Sequence, residues 1–173
     1  ILDLQPTYLK IPSALNTNYE LLDLVCRKFS RDLHLSLGMT TRKEEEEIVS
    51  FLGKRDRLTN VVLYACTSGY PIVDSDACLL EITRLRNSYG DDIKAVGFSG
   101  HHKGIAIDVA AYVLGAHYIE RHFTLDRSWK GTDHAASLEP DGLRRLRRNL
   151  ELTAEALDVK RTEILPVEVP QRE

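Results

Sequence analysis

Val96 to Ser137 reads VGFSGHHKGIAIDVAAYVLGAHYIERHFTLDRSWKGTDHAAS, the densest polar chemistry in the chain, set between strand-like apolar runs. The run Ile93–Phe98 ends in Ser99-Gly100-His101-His102, and the run Ala116–Ile119 ends in Glu120-Arg121-His122-Phe123-Thr124. Between them Gly104–Leu114 has the length and alanine content of a helix. Strand, helix, strand in that order predicts a βαβ unit, because parallel strands need a long crossover, usually helical. The C-terminal ends of the two strands then lie side by side. Alternate residues of a strand share a face, so Gly97, Ser99 and His101 point one way, as do Tyr118, Glu120 and His122.

Upstream the same unit repeats. Tyr8–Ile11 reads as a strand, with Lys10 and Ser13 at or just beyond its C-terminal end, and 18–29 carries Leu21, Leu22, Leu24, Val25 and Phe29 at helical spacing. Leu33–Leu37 is the next strand. Thr41 with Glu44 forms a capping box that opens a helix through Leu52, and Glu44 to Glu47 reads as a solvated first turn favoured by the helix dipole. Asn60–Ala65 is a continuous apolar strand of the kind buried on both faces, followed by Cys66-Thr67-Ser68-Gly69-Tyr70-Pro71 and a helix over Ala77–Tyr89. Downstream, Glu139-Pro140 begins a helix with Leu143, Leu146, Leu150 and Leu157 on its buried stripe. Its Arg144, Arg145, Arg147 and Arg148 read as a solvated face.

At the margins, Ile1 to Leu4 resembles the end of a preceding helix, and 159–173, with two prolines and no periodicity, reads as a linker. Residues 1–158 therefore hold strand-to-helix units of one type, each of about thirty residues. A closed (β/α)8 TIM barrel needs eight such units, so these predict an incomplete barrel. An open doubly wound sheet is the structural rival, but no glycine-rich phosphate loop follows any strand. Each strand instead ends in its own polar cluster, the barrel habit of spreading a site over many strand ends.

Composition narrows the class of function. The chain has 173 residues, 43% hydrophobic and 28% charged, with net charge -3, as expected of a soluble domain. The mild acidity without a basic stripe argues against nucleic acid, and the lack of a long apolar run argues against a membrane partner. Small molecules are the expected ligands. The start ILDLQPTYLK lacks the pattern of a signal peptide, and Cys26, Cys66 and Cys78 sit in apolar patterns that suit reduced thiols, so a cytoplasmic location is expected.

Two constellations carry chemistry. His101 and His122, matched in position and parity, would bring two imidazoles together above the strands, where they read either as ligands of a divalent cation or as hydrogen-bonded strand-end histidines. Lys10, Ser13, Ser36, Ser68 and Ser99 place hydroxyls and one cation at successive strand ends, a pattern suited to phosphate, though serine is also common in turns. Asp133, in Lys130-Gly131-Thr132-Asp133-His134, is a carboxylate placed for sugar hydroxyls or a turn residue, and Tyr70 lines the rim or packs. His102 should face away from His101. His34, His117 and His134 have no partner visible in the sequence.

Gly97-Phe98-Ser99-Gly100-His101, Glu120-Arg121-His122-Phe123-Thr124-Leu125-Asp126 and Trp129-Lys130-Gly131-Thr132-Asp133-His134, with Ala136-Ser137-Leu138-Glu139-Pro140, resemble the sialic acid synthase family. The resemblance extends upstream through Lys10-Ile11-x-Ser13, Ser36-x-Gly38-Met39 and Cys66-Thr67-Ser68-x-Tyr70-Pro71, and so covers nearly the whole chain. It implies condensation of phosphoenolpyruvate with N-acetylmannosamine or its 6-phosphate, with release of phosphate. It implies Mn2+ or Mg2+ on His101 and His122, with Lys10 joining them as a catalytic group. Lys10, Ser13, Ser36 and Ser99 match positions that hold phosphoenolpyruvate, and Tyr70 and Asp133 match positions near the amino sugar. Ser68 stands where many bacterial members have asparagine.

Pro12, Ala14-Leu15 and Leu37 depart from the family's usual glycine, Gly-Asp and small residue, which implies a differently shaped phosphate end. The resemblance also implies that these are the last five βα units of the barrel, that 159–173 leads toward an antifreeze-like domain, and that the full-length protein is a homodimer. A synthase for a related nonulosonic acid and a non-catalytic barrel fragment or assembly module are the alternatives.

Overall fold

The computed structural model describes residues 4–172. Strands β1 (Tyr8–Ile11), β2 (Asp32–Ser36), β3 (Val61–Cys66), β4 (Ala95–Gly100) and β5 (Tyr118–Arg121) alternate with helices α1 (Tyr19–Lys28), α2 (Arg42–Gly53), α3 (Leu80–Tyr89), α4 (Ala106–Val113) and α5 (Pro140–Ala156). The strands pair in chain order, all parallel, as a five-stranded curled half-barrel. Helices cover the outer face. There Leu33, Leu35, Leu63, Val96 and Phe98 pack against Leu22, Ile48, Leu52, Ile82, Leu85 and Ala111 in one buried cluster. Among the described residues no helix is long and apolar enough to cross a membrane.

Local signals explain the helix starts. Asn18 caps α1 by accepting from Leu21 N–H, and the Thr41–Glu44 capping box of α2 makes both of its reciprocal bonds. Several boundaries differ from expectation. Helix α3 begins at Leu80 rather than Ala77, because Cys78 takes a left-handed φ of 45° that no helix can run through. Strands β4 and β5 run on through Ser99 and Glu120, whose main chains pair with each other. These polar residues are thus held inside the ladder rather than on loose ends. Within 159–173 a short 3-10 helix forms over Pro166–Gln171. The expected helix end at Ile1 to Leu4 falls on residues of which only Leu4 is described.

Glu45 corrects the reading of a fully solvated first turn. It is only 4% exposed, and Arg84 of α3 binds both of its carboxylate oxygens, at 2.7 and 2.6 Å. Arg42 and Glu81 extend the pair into a four-residue network that ties α2 to α3. The sequence places Glu45 on a polar run, but tertiary packing turns it toward a partner 39 residues away.

Candidate active site at the strand ends

Strand register builds the inner face in layers. Lys10 pairs with His34, Ser36 with Tyr64, Tyr64 with Gly97, Cys66 with Ser99, and Ser99 with Glu120. Period-two alternation turns these residues away from the apolar outer face. The lower layer is an aromatic plug. Tyr8 stacks on His34 with ring centroids 4.4 Å apart, His34 Nδ1 lies 2.7 Å from the Tyr64 hydroxyl, and Tyr118 meets His34 edge-on. Burial pushes the Tyr64 hydroxyl well above its ordinary pKa and holds His34 below its own.

Above the plug sits the cationic end of the site. Lys10 donates to Ser36 Oγ at 2.7 Å and pairs with Glu120 Oε2 at 3.0 Å, its ammonium 4.9 Å from the Tyr64 ring centre. Ser13 Oγ accepts from Gly38 N–H at 3.0 Å and lies 3.6 Å from Cys66 Sγ. Gly38 is required here: a Cβ would lie 2.6 Å from Ser13 Oγ and nearer still to Ser68 Oγ. Ser68 Oγ is buried without a hydrogen-bond partner among the described residues. Ser99, 5% exposed, completes this end beside Cys66.

The histidines meet at the other end. The His101 and His122 rings are perpendicular within a few degrees, with centroids 5.1 Å apart and an interplanar angle of 84°. His101 Nδ1 lies 2.7 Å from the Thr67 carbonyl, which can only accept, so Nδ1 carries the proton and the lone pair of the neutral ring lies on Nε2. A ring fixed in this way by a carbonyl is the usual support of a metal-ligating histidine. His122 Nδ1 stands 3.5 Å from Asp133 Oδ2. Tyr70 lies against both rings, at 4.4 Å from His101 and 5.3 Å from His122, while 44% exposed.

Electrostatics separate the two imidazoles. Burial works against a charged His101, but the Cys66 thiol and Thr67 carbonyl outweigh it and set its pKa above the ordinary value. At His122 burial and the neighbouring His101 both disfavour charge, so its pKa is depressed. Burial likewise pushes the Cys66 thiol up, but its contacts with His101, Ser13 and Ser99 win and lower it. Among the described residues no group of three or more His, Cys, Asp or Glu is placed to hold a metal ion. The donor set that fits a cation is therefore the pair of histidine nitrogens, with remaining positions open to water and ligand oxygens.

All nine residues singled out from the sequence reach the C-terminal rim or the inner face. Lys10 meets Ser36, Ser13 and Ser99 adjoin Cys66, which also touches His101, Ser68 lies by Gly38, and Tyr70 and Asp133 stand beside His101 and His122. Glu120 was missed as the partner of Lys10, although its parity with His122 already placed it inward. Cys66 was missed too, although it ends a strand on the inner face as Ser99 does. His34 and His134 do have partners, the Tyr64 hydroxyl and Thr124 Oγ1 at 2.8 Å, which only the folded chain reveals.

The sequence profile of the NeuB family matches residues 1–162. The chain belongs to the NeuB family. Relatives within reach of this NeuB chain include the N-acetylneuraminate-9-phosphate synthase of Mus musculus, 38% identical over 170 residues, covering 96% of this chain and 45% of that protein. The N,N'-diacetyllegionaminic acid synthase of Campylobacter jejuni is 40% identical over 138 residues, covering 79% of this chain and 40% of its own length. The chain thus spans less than half the length of these relatives. The crystal structure of the N-acetylneuraminic acid synthetase of Leptospira borgpetersenii, in complex with citrate, superposes with a TM-score of 0.84 at 31% identity, covering 99% of this NeuB chain and 58% of that one. A truncated 3-deoxy-D-arabino-heptulosonate 7-phosphate synthase from Thermotoga maritima shares the fold, with a TM-score of 0.71 at 18% identity over 89% of this chain and 60% of its own.

Proposed function

We propose that residues 1–158 form the last five βα units of a (β/α)8 synthase barrel, that 159–173 is a linker, and that the full protein condenses phosphoenolpyruvate with N-acetylmannosamine or its 6-phosphate. The observation that carries this reading is the shared inner face: an ammonium with hydroxyls at one end and paired imidazoles at the other, facing one space. The names of relatives at 38% and 40% identity favour a nine-carbon sugar acid as product.

In the proposed reaction the methylene carbon of phosphoenolpyruvate bonds to the aldehyde carbon, water adds to the cationic carbon left behind, and phosphate departs. Lys10 neutralises the phosphate or carboxylate of phosphoenolpyruvate, and Ser13, Ser36, Ser68 and Ser99 orient it by donating to its oxygens. A divalent cation, Mn2+ or Mg2+, held by His101 and His122 would polarise the aldehyde oxygen of the sugar. Asp133 and Tyr70, on loops beside the histidines, hold the amino sugar over the methylene carbon. Catalysis then comes from orientation and charge placement, and no side chain needs to become a covalent carrier. The homodimer of the full chain is part of the same reading.

Phosphate release by the full chain, with Mn2+, phosphoenolpyruvate and either amino sugar, tests this. His101→Ala and His122→Ala should each abolish metal-dependent turnover. Near-parent activity of both at limiting Mn2+ would refute the assignment.

A further inference from the structure

Behind the two histidines, on the outer side of the strand ends, lies a buried polar cluster. His102, next to His101, and Asp108, in the first turn of α4, are both 0% exposed at the side chain. Arg121, next to His122, is 2% exposed. Its Nη1 reaches Asp108 Oδ2 at 2.5 Å, the Gly104 carbonyl at 2.8 Å and His102 Nε2 at 3.1 Å. Its Nη2 reaches the carbonyls of His102 at 2.7 Å and Ala136 at 3.3 Å. One guanidinium therefore joins the end of β5, the β4–α4 loop, the start of α4 and the segment that leads into α5.

Arg121 Nη1 has two hydrogens for three neighbours, Asp108 Oδ2, the Gly104 carbonyl and His102 Nε2, and a guanidinium nitrogen only donates, so His102 Nε2 meets it as an acceptor when the ring proton is on Nδ1. His102 and Asp108, 3.4 Å apart, thus share Arg121 rather than forming an ion pair of their own. The arrangement is not one built for stability. Among the described residues Arg121 Nε, Asp108 Oδ1 and His102 Nδ1 are all buried without partners, each at a cost. Buried ion pairs often stabilise no more than apolar groups of the same volume, and their attested use is to fix one geometry. The geometry fixed here is that of the residues on either side: Arg121 holds the main chain of His102, and with it the turn that carries His101, against the strand that carries His122.

We propose that Asp108, Arg121 and His102 form a positioning device that sets the spacing of His101 and His122 as a donor pair, which rests on the metal reading above. The test uses the full chain and Mn2+ alone, followed by the resonance of the free ion. Asp108→Leu combined with Arg121→Met removes both charges at similar volume, and His102→Leu removes only the ring acceptor. The expected result for the combined variant is a Mn2+ dissociation constant raised about 10- to 100-fold. Phosphoenolpyruvate affinity, measured without metal by calorimetry, should stay within about twofold, as for independent sites. In the metal-free protein, imidazole nitrogen shifts should show His101 losing its single Nδ1–H form as its distance from the Thr67 carbonyl loosens.

A folded combined variant with the parent's Mn2+ affinity overturns the proposal. Should that variant not fold, His102→Leu decides on the same criterion. If the parent binds Mn2+ no better than a His101→Ala/His122→Ala protein, the metal reading fails. The imidazole shifts then decide the positioning role by themselves: changed shifts support it and parent-like shifts overturn it.

Discussion

Gly97→Ala should unsettle both the barrel interior and the cation that stands on it. A Cβ at Gly97 would lie 2.6, 2.7 and 2.9 Å from Cε1, Cδ1 and Cζ of Tyr64. Carbon atoms in ordinary contact sit about 3.5 to 4.0 Å apart, so the ring must retreat by about 1 Å. Tyr64 is 4% exposed and its hydroxyl lies 2.7 Å from His34 Nδ1, so that retreat breaks the hydrogen bond. Overpacking costs about 1 to 3 kcal/mol and an unpaired buried polar group about 1 to 3 more, which gives a loss of about 2 to 6 kcal/mol. Denaturant unfolding of the full chain should show a lower midpoint at unchanged slope. Phosphoenolpyruvate affinity should fall as well, because Lys10 loses the ring beneath it. Adding Tyr64→Leu makes room for the new methyl, so the double variant should lose much less than the sum of the single losses. A Gly97→Ala protein within about 0.5 kcal/mol of the parent, or strict additivity in the pair, would refute the packing argument.

Burial is the largest influence on His34 and holds its pKa down, against the pull of Asp32. The unfolded chain therefore binds its proton first, so stability should be intact above about pH 6.5 and fall as pH drops through the folded pKa; His34→Gln should flatten that slope in urea midpoints. Glu45→Ala should cost about 1 to 3 kcal/mol of unfolding free energy, less than a fully buried pair, because Arg84 keeps Glu81 at 2.8 Å and is itself 28% exposed. Lys10→Met should weaken phosphoenolpyruvate binding by about 1.5 to 3 kcal/mol and Ser99→Ala by about 1, read from steady-state kinetics. A defect confined to the amino-sugar KM would place Lys10 elsewhere.

The strand and helix types were legible because each unit carries its own period and punctuation. Thr41 and Glu44 announce a helix start within four residues, and the valine and leucine run before Cys66 announces a buried strand. Parity then placed Ser99, His101 and His122 inward before any distance was known. What stayed hidden depends on partners far along the chain. Glu45 lies in a run of four glutamates, and nothing in that run says that Arg84 will bury one of them. His102 was expected to face away from His101, as it does, but its partners Asp108 and Arg121 come from a helix and a strand whose facing surfaces the sequence does not display. Glu120 shows the boundary between the two cases. Its inward direction was readable from His122, whereas its pairing with Lys10 requires the curl that brings the outermost strands, β1 and β5, toward each other.

That pairing matters for how an anion would enter. A lysine ammonium has three donors and no acceptor. Here Ser36 takes one and Glu120 another, at 2.7 and 3.0 Å, which leaves a third for an incoming oxygen. The charge is held in place before the ligand arrives, so little of the binding energy goes into ordering a flexible side chain. Glu120 also moderates the cation, since a phosphate must compete with a carboxylate already beside it. The support runs downward from there: Lys10 over the Tyr64 ring, Tyr64 against His34, and both rings admitted because Gly97 has no side chain. The histidine end follows the same logic with different materials, a carbonyl at His101 and a buried guanidinium next to His122. Lys10, Tyr64 and His101 are thus each oriented by a neighbour on an adjoining strand or loop, which is why the register of the strands, more than any single residue, determines the geometry of the inner face.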